Sequence, residues 1–506
     1  MKVKKIGFDN ELYLKEQSAA IIERVEKFNN KLYLEFGGKL LFDMHASRVL
    51  PGFDPNVKMR LLQKLKADAD IILCIFAGDI ERKKVRADFG ITYDSDVLKL
   101  IDDIKNYGID ITSVVITRFN DQPAAKAFKN KLEHRGIKVY THRFTKGYPT
   151  DVEQIVSDEG YGANEYIETT KKLVVVTGPG PGSGKLATCL SQLYHEHIRK
   201  VDAGYSKFET FPVWNLPLKH SVNIAYEAAT ADLRDFNQID PFHLENYKET
   251  TINYNRDVEV FPVVKRILER ITGSKSVYQS PTDMGVNKVG FAITDDDAVQ
   301  DAAKMEVIRR YLRCNCEYVM GFVDKGAVQR VNLLMNELGI SVSDRNVVGK
   351  ANEALADAEE EHKGNEGIFC GAAIEIADGT LIKGNNSPLM HAASSLVINA
   401  IKHLADIPDK IHLLPNNITE SIGKFKNEIL NSGNVSLDLE ETLIALCVGA
   451  MSNSAAQLAI EKLPELKGCE MHLTHIPTRG DEEGLRSLGI NVTSDANFPS
   501  KNLYMK

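Results

Sequence analysis

An apolar run that ends in closely spaced glycines and a lysine carries the clearest chemistry in this sequence. Residues 171–196 read KKLVVVTGPGPGSGKLATCLSQLYHE, with KLVVV patterned as a strand and LATCLSQLYHE as a helix. In such a turn the backbone N–H groups point inward and the helix adds the positive end of its dipole. A lysine supplies a mobile charge for phosphate oxygens. The spacing therefore predicts a phosphate cradle made by Gly178, Gly180, Gly182, Ser183, Gly184 and Lys185, with Thr188 one turn into the helix. Lys185 is also the expected catalytic cation, because neutralising developing charge is the main need of phosphoryl chemistry.

The match to the nucleotide-binding pattern G-x-x-x-x-G-K-[ST] is incomplete. The position where its first glycine belongs is Pro179, and Leu186 stands where a hydroxyl normally holds Mg²⁺. Pro179 and Pro181 also remove two backbone donors. A nucleotide, with ATP and Mg²⁺ as the expected form, and a phosphorylated metabolite without a nucleotide both fit this loop. An acidic partner for Mg²⁺ has two candidates at the ends of apolar runs, Asp79 and Asp295.

Other residues offer substrate contacts. In SKFETFPVWNLPLKHSVN, Lys207, Glu209, Trp214, Lys219 and His220 combine charge with aromatic surface. Asp240 and His243 in IDPFHLE form an acid and base pair, although Asp240 before Pro241 also reads as a helix N-cap. YQSPTDMGVN groups Ser280, Thr282, Asp283 and Asn287, with Asp283 a catalytic candidate and Asn287 a substrate contact; an Asx-type turn explains the same residues. His391 in NNSPLMHAA is a further catalytic candidate at a helix start. A zinc deaminase needs His-x-Glu and a later Pro-Cys-x-x-Cys, but position 393 is Ala and LLPNN holds no cysteine. The zinc-protease and G-x-S-x-G hydrolase signatures are missing too.

These residues must be held by an α/β scaffold. From residue 67 the sequence alternates strand and helix: DIILCIFAG, SDVLKLIDDIKNYG, ITSVVITRF, QPAAKAFKNKLEHRG, IKVYTHRF, a helix around TDVEQIVSDEG, then KKLVVVTG. This rhythm predicts a parallel, Rossmann-like or P-loop-like sheet with helices on both faces. KLYLEFGGKLLFD suggests a hairpin or bulge around Gly37 and Gly38. Residues 204–290 are dense in Asn, Asp, Pro and aromatics. VNIAYEAATADL is their one clear helix, so an ordered, irregular, substrate-facing segment is expected. KVGFAITDDD reads as a strand. A strand–turn–helix–Gly-Ile-x-Val echo recurs at Gly136, Gly339 and Gly489, where a helix C-cap needs positive φ. The expected organisation is an N-terminal α/β domain over 1–203, a segment over 204–304 completing it, and a second α/β domain over 305–506. In the latter, GIFCGAAIEIADGTLIKG is a hairpin turning at Asp378-Gly379, followed by the helix SSLVINAIKHLA.

Composition bounds the partners. The 506 residues are 43% apolar and 26% charged, with net charge −8 and mean hydropathy −0.23. That balance disfavours nucleic acid or an anionic membrane as the main partner. No apolar run approaches membrane-spanning length, and the basic N-terminus lacks a secretory core, so a cytoplasmic location is expected. Seven scattered cysteines fit a reducing compartment, and the single C-x-C at Cys314 and Cys316 predicts no metal. A chain of this class and size is expected to be a homo-oligomer.

The stretches GPGPGSGKLATCLSQLYHE, KFETFPVWNLPLKHSVNIAYEAATADL, IDPFHLE, NYNRDVEVFP, SPTDMGVN and NSPLMHAA together resemble a bacterial family catalogued as domain of unknown function 1846. The resemblance covers nearly the whole chain and implies a cytoplasmic bacterial protein with N-terminal and C-terminal domains. An "ATP-dependent peptidase" label carried by some members meets no protease motif here. Three functional readings follow: an enzyme acting on a nucleotide or phosphorylated metabolite, a nucleotide-responsive binding or assembly protein without turnover, and a nucleotide-independent phosphometabolite lyase or transferase.

Overall fold

The computed structural model describes residues 5–28, 31–86 and 90–500. The chain divides into two compact units, one of 5–230 with 235–303 and the other of 304–500 with 231–234.

The larger unit is built on seven strands: β1 Lys31–Phe36, β2 Ala69–Phe76, β3 Ser113–Thr117, β4 Val139–Thr141, β5 Leu173–Thr177, β6 Ala203–Phe208 and β7 Gly285–Val286. They form one all-parallel sheet in the order β7-β6-β1-β5-β2-β3-β4. Every residue of β1, β3 and β5 is buried, the pattern of strands covered on both faces. One covering layer comes from α5 (Lys185–Ile198) and α7 (Asn255–Thr272). Cys189, Leu190, Phe261, Val264 and Ile267 there pack on Tyr33, Cys74, Val174 and Tyr205. The order reverses around β5: β2, β3 and β4 lie to one side, β1, β6 and β7 to the other. The loop after β5 therefore opens at the crevice where ligands bind in open α/β sheets.

The smaller unit has a four-stranded mixed sheet of β8 Gly371–Glu375, β9 Leu381–Asn385, β10 Glu470–Leu473 and β11 Asn491–Ser494, ordered β9-β8-β10-β11. Only β10 and β11 run parallel. The hairpin turns at Gly379, with φ +90°. Helix α11 (Ala392–Leu404) lays Leu396, Val397 and Ile401 on Ala372, Ile374 and Met471, and α13 (Leu439–Ala450) adds Leu439, Ala445 and Leu446 to that core.

Four local expectations fail for physical reasons. KLYLEFGG is not a hairpin: KLYLEF is β1, paired in parallel with β5 and β6 near the middle of the sheet. The stretch 204–290 holds more regular structure than its composition suggests. It opens with most of β6 and contains the 18-residue helix α7, which tolerates Pro262 in its interior while burying Phe261, Val264, Ile267 and Ile271. Tertiary burial overrides the proline signal. VGFA is a 3₁₀ turn, Val289–Ala292, instead of a strand. In the second echo YVMGF ends the helix Asp296–Val319, and the residues after Gly339 enter a 3₁₀ turn at Val342–Asp344. The first and third echoes are strand–helix–strand, and all three cap glycines have positive φ: +76°, +64° and +70°.

Candidate functional site

The glycine loop is held from behind by its carbonyls. The Thr117 hydroxyl at the end of β3 donates to the Ser183 carbonyl at 2.7 Å. Arg118 donates to the Gly182 carbonyl, and Lys185 Nζ lies 3.5 Å from the Gly180 carbonyl. Gly184 has φ +92°, and a Cβ there would stand 2.7 Å from the Thr117 side chain, so only glycine lets the chain enter α5 at this angle. With the carbonyls engaged, the amides of Gly180, Gly182, Ser183, Gly184 and Lys185 donate to no protein acceptor among the described residues. The Ser183 hydroxyl is buried and likewise unpartnered. Gly178 and Gly180 pack against Cys74 and Tyr93. A shallow cleft adjoins Gly178 and Pro179, walled by Phe42, Asp96 and Lys99.

Thr188 turns away from the loop. It is fully buried and accepts from the Cys74 thiol at 3.4 Å, and Leu186 follows Lys185, so no hydroxyl sits where a Mg²⁺ ligand belongs. Asp79, in the short helix Ala77–Glu81 after β2, is paired with Arg82. Asp295 caps a helix through the Ala298 amide at 3.0 Å. These residues do not make the Mg²⁺ donor set of an ordinary nucleotide triphosphatase.

Next along the same sheet edge lies a cluster of charge. Lys207, on β6, places Nζ 2.7 Å from Glu209 and 2.6 Å from Asp257 of α7. The Tyr254 hydroxyl donates to Glu209 at 2.6 Å, and Tyr205 donates to Glu35 of β1 at 2.8 Å. Burial pushes Glu209 up, Lys207 pulls it down and Asp257 pushes it up again, leaving its carboxyl at about 7. Lys207 is held well above its ordinary value: burial, which lowers it, is outweighed by Asp257, Glu209 and Glu35. Lys58, on α2 (Val57–Leu65), is 2% exposed and reaches the Gly37 carbonyl at 3.1 Å and Asp43 at 3.4 Å. Gly37 lies against Glu209, where a Cβ would come within 2.9 Å of its side chain. Burial lowers Lys58; Asp43 and Glu209 raise it and Lys185 lowers it, so its charge is felt by both the loop and the carboxylate.

The remaining candidates fall elsewhere. Asp240 caps the helix Pro241–Tyr247 through two amides at 3.0 Å and accepts from Thr282 at 2.7 Å. His243 faces Ser280 at 2.9 Å and Asp283 at 3.8 Å. Asp283 closes a capping box with Ser280 and accepts from Tyr247. The Trp214 indole donates to the Asn287 carbonyl, while the Asn287 amide donates to the carbonyls of Thr210 and Pro212. His220 caps α6 (Ser221–Ala229) and meets Asp296 at 3.0 Å. Lys219 is exposed in the turn before it.

His391 belongs to the smaller unit. Its Nδ1 lies 2.8 Å from Asp481 Oδ2, in α14 (Arg479–Ser487), which also accepts from Thr478 at 2.7 Å; Asp481 Oδ1 accepts from the Leu439 amide at 3.0 Å. The Asn434 amide nitrogen faces Nε2 at 3.3 Å. Burial would lower His391, but the bond and charge of Asp481 and the charge of Asp438 raise it. Neighbouring His475 is pushed down to about 4 by burial, and its Nδ1 has no partner. Among the described residues no group of three or more His, Cys, Asp or Glu is placed to hold a metal ion.

Glu35, Lys58, Tyr254, Asp257 and Asp481 escaped the sequence reading. Glu35 left a signal, a carboxylate inside the otherwise apolar strand KLYLEF; Lys58 and Asp481 sit in ordinary helical patterns.

Comparison with known proteins also divides the chain in two, but at residues 339–343, beyond the boundary of the compact units at 303–304. Proteins named "UPF0371 protein" from Clostridium botulinum strain Alaska E43 and from Clostridioides difficile strain 630 are each 58% identical over 500 residues, 99% of both chains. Family models described as "Domain of unknown function DUF1846", N-terminal and C-terminal, match residues 6–339 and 343–504, and the chain belongs to that family.

Proposed function

We propose that this protein is an enzyme that seats the phosphate of a small metabolite on the loop Gly180–Lys185 and moves a proton on the rest of that molecule with Glu209. The observation that carries the reading is the set of unpaired amides of Gly180, Gly182, Ser183, Gly184 and Lys185, gathered at the start of a 14-residue helix beside a lysine. Glu209 supports the second half. A carboxyl near 7 is present in both protonation states at neutral pH, which suits a general acid or base. One strand, β1, separates β5 from β6, so the loop and Glu209 lie about 10 Å apart at ~4.8 Å per strand. That span fits a phosphorylated sugar or acid better than the adjacent phosphates of a transfer reaction. Lys58 and Lys185 would hold negative charge between the two ends. The chemistry class is proton transfer leading to isomerisation or elimination.

A second reading, nucleotide binding without turnover, is favoured by the burial of Thr188 against Cys74, which removes the Mg²⁺ hydroxyl but leaves the amides. A thermal-shift screen against inorganic phosphate, sugar phosphates and ATP, with and without Mg²⁺, separates the two. Stabilisation by about 2.7 kcal/mol at hundredfold excess over Kd is expected from sugar phosphates or phosphate, and is lost in Lys185→Ala. Stabilisation by ATP alone would favour the second reading. No stabilisation by any of them would sink both.

A further inference from the structure

A tyrosine hydroxyl beside the sheet-edge cluster has no protein partner among the described residues: that of Tyr226, on α6. The other polar groups there are committed. Tyr205 donates to Glu35 at 2.8 Å, Tyr254 donates to Glu209 at 2.6 Å, and Lys207 is divided between Glu209 and Asp257. The Tyr226 ring is stacked on Phe211, with centroids 5.6 Å apart and planes at 18°, and its centroid stands 6.5 Å from that of Tyr254. The residue is partly exposed, so the hydroxyl is open to a ligand while the ring is fixed by its neighbours. Burial, and then the charges of Glu209 and Asp235, hold the hydroxyl well above the ordinary tyrosine value, against the smaller pull of Lys207 and Arg256. Tyr226 is therefore a neutral donor at neutral pH, and Glu209 is the charge that acts on it most strongly.

A phenol that keeps its proton beside a carboxyl that gives and takes one is the pair needed to break a C–H bond next to a carbonyl. The carboxylate removes the proton, and the phenol holds the oxygen on which charge develops. We propose that Tyr226 is this oxyanion donor, and that the substrate is an aldose or ketose phosphate of about five or six carbons. The inference rests on the reading of the loop Gly180–Lys185 as a phosphate seat and of Glu209 as a proton carrier. Chain length follows from the span of about 10 Å between them, which a three-carbon phosphate does not bridge. In the step itself, Glu209 takes the proton from the carbon beside the carbonyl. That C–H pair becomes the C=C bond of an enediolate, and the carbonyl pair moves to the oxygen facing Tyr226. The proton of the adjacent hydroxyl passes to that oxyanion. Glu209 then returns its own proton to the former carbonyl carbon, so an aldose becomes a ketose with every atom and electron accounted for.

Titration calorimetry with two probes tests this on the full chain. Inorganic phosphate reads the loop alone. 5-Phospho-D-arabinonohydroxamate carries its phosphate at one end of a five-carbon chain and, at the other, a hydroxamate that mimics the enediolate. The wild type should bind the hydroxamate at least 10-fold more tightly than phosphate. Tyr226→Phe keeps the ring stack and should lose about 10- to 100-fold in hydroxamate affinity, the worth of one hydrogen bond to a charged group, with phosphate affinity unchanged. Circular dichroism of Tyr226→Phe should match the wild type. In D₂O, proton NMR of ribose 5-phosphate or glucose 6-phosphate should show loss of the C2 proton with the wild type, and much slower loss with Tyr226→Phe. Phosphate binding with no tighter binding of the hydroxamate would overturn the proposal and leave the phosphate seat standing. So would a hydroxamate affinity that Tyr226→Phe leaves unmoved. Failure of the wild type to bind either probe would overturn the phosphate seat itself, and the proposal with it.

Discussion

Glu209 gives the most exacting test of the sheet-edge cluster, because its protonation depends on burial first and then on two neighbours of opposite effect, Lys207 and Asp257. Lys207 Nζ lies 2.7 Å from Glu209 and 2.6 Å from Asp257, so the two carboxylates sit about 5 Å apart across one ammonium. At that separation and an effective dielectric of about 20, their repulsion is about 3 kcal/mol, equivalent to about 2 pH units in the Glu209 midpoint. Selective ¹³C labelling of glutamate side chains reads the midpoint directly, with the Glu209 signal assigned by its loss in Glu209→Gln. The wild type should titrate at about 7. Asp257→Asn should bring the midpoint to about 5, since it removes the like charge and leaves Lys207 to Glu209 alone. The linked stability has a definite sign. A carboxyl raised in the fold contributes stability that is fully present below its ordinary value of 4.5 and is lost as pH rises through about 7. The wild type should therefore lose up to about 3 kcal/mol relative to Glu209→Gln between pH 4.5 and pH 8. A wild-type midpoint near 4.5, or one that Asp257→Asn leaves unmoved, would refute the account of this cluster and remove the main support for Glu209 as a proton carrier.

Three further outcomes follow from the same geometry. Lys185→Ala should abolish stabilisation by phosphate ligands while changing the unliganded protein's stability by less than about 0.5 kcal/mol, as for other partly exposed loop lysines; denaturation with and without ligand reads both numbers. Glu470 in the smaller unit is held at about 2, because Arg309 and Arg345, each 2.6 Å away, outweigh its burial. Its stability contribution of about 3 kcal/mol is complete above pH 4.5 and is lost as pH falls toward 2, so Glu470→Gln should flatten the acid limb of the stability profile. His391, raised by Asp481, contributes stability present below the ordinary imidazole value and lost as pH rises through its folded value. Asp481→Asn should shift its imidazole titration to lower pH by NMR, and an unchanged titration would dissolve the pairing.

How much of this was legible beforehand depended on the range over which residues must cooperate. The glycine loop could be read because its parts, strand, turn, lysine and helix, lie within 26 consecutive residues and local backbone chemistry decides their shape. The parallel sheet was legible for the same reason, through apolar runs alternating with helical ones. The cluster around Lys207 was legible only in part: Lys207 and Glu209 stand two residues apart, but residues 35, 58, 254 and 257 join them only after β1 inserts between β5 and β6. Two polar pairs show the structural alternative that such residues always carry. Asp240 with His243, and Asp283 with Asn287, are close in sequence and of chemically suggestive types. In the fold, Asp240 and Asp283 cap helices and Asn287 ties a loop. Asp, Asn and Ser near Pro and Gly are selected first by the need to satisfy backbone amides. Thr188 makes the same point at the loop itself. Thr188, one turn after Lys185, is fully buried and takes its hydrogen bond from the Cys74 thiol of β2. A hydroxyl that the sequence places near a phosphate loop is therefore engaged by burial and the Cys74 thiol, and the loop is left with amides and lysines as its means of holding an anion.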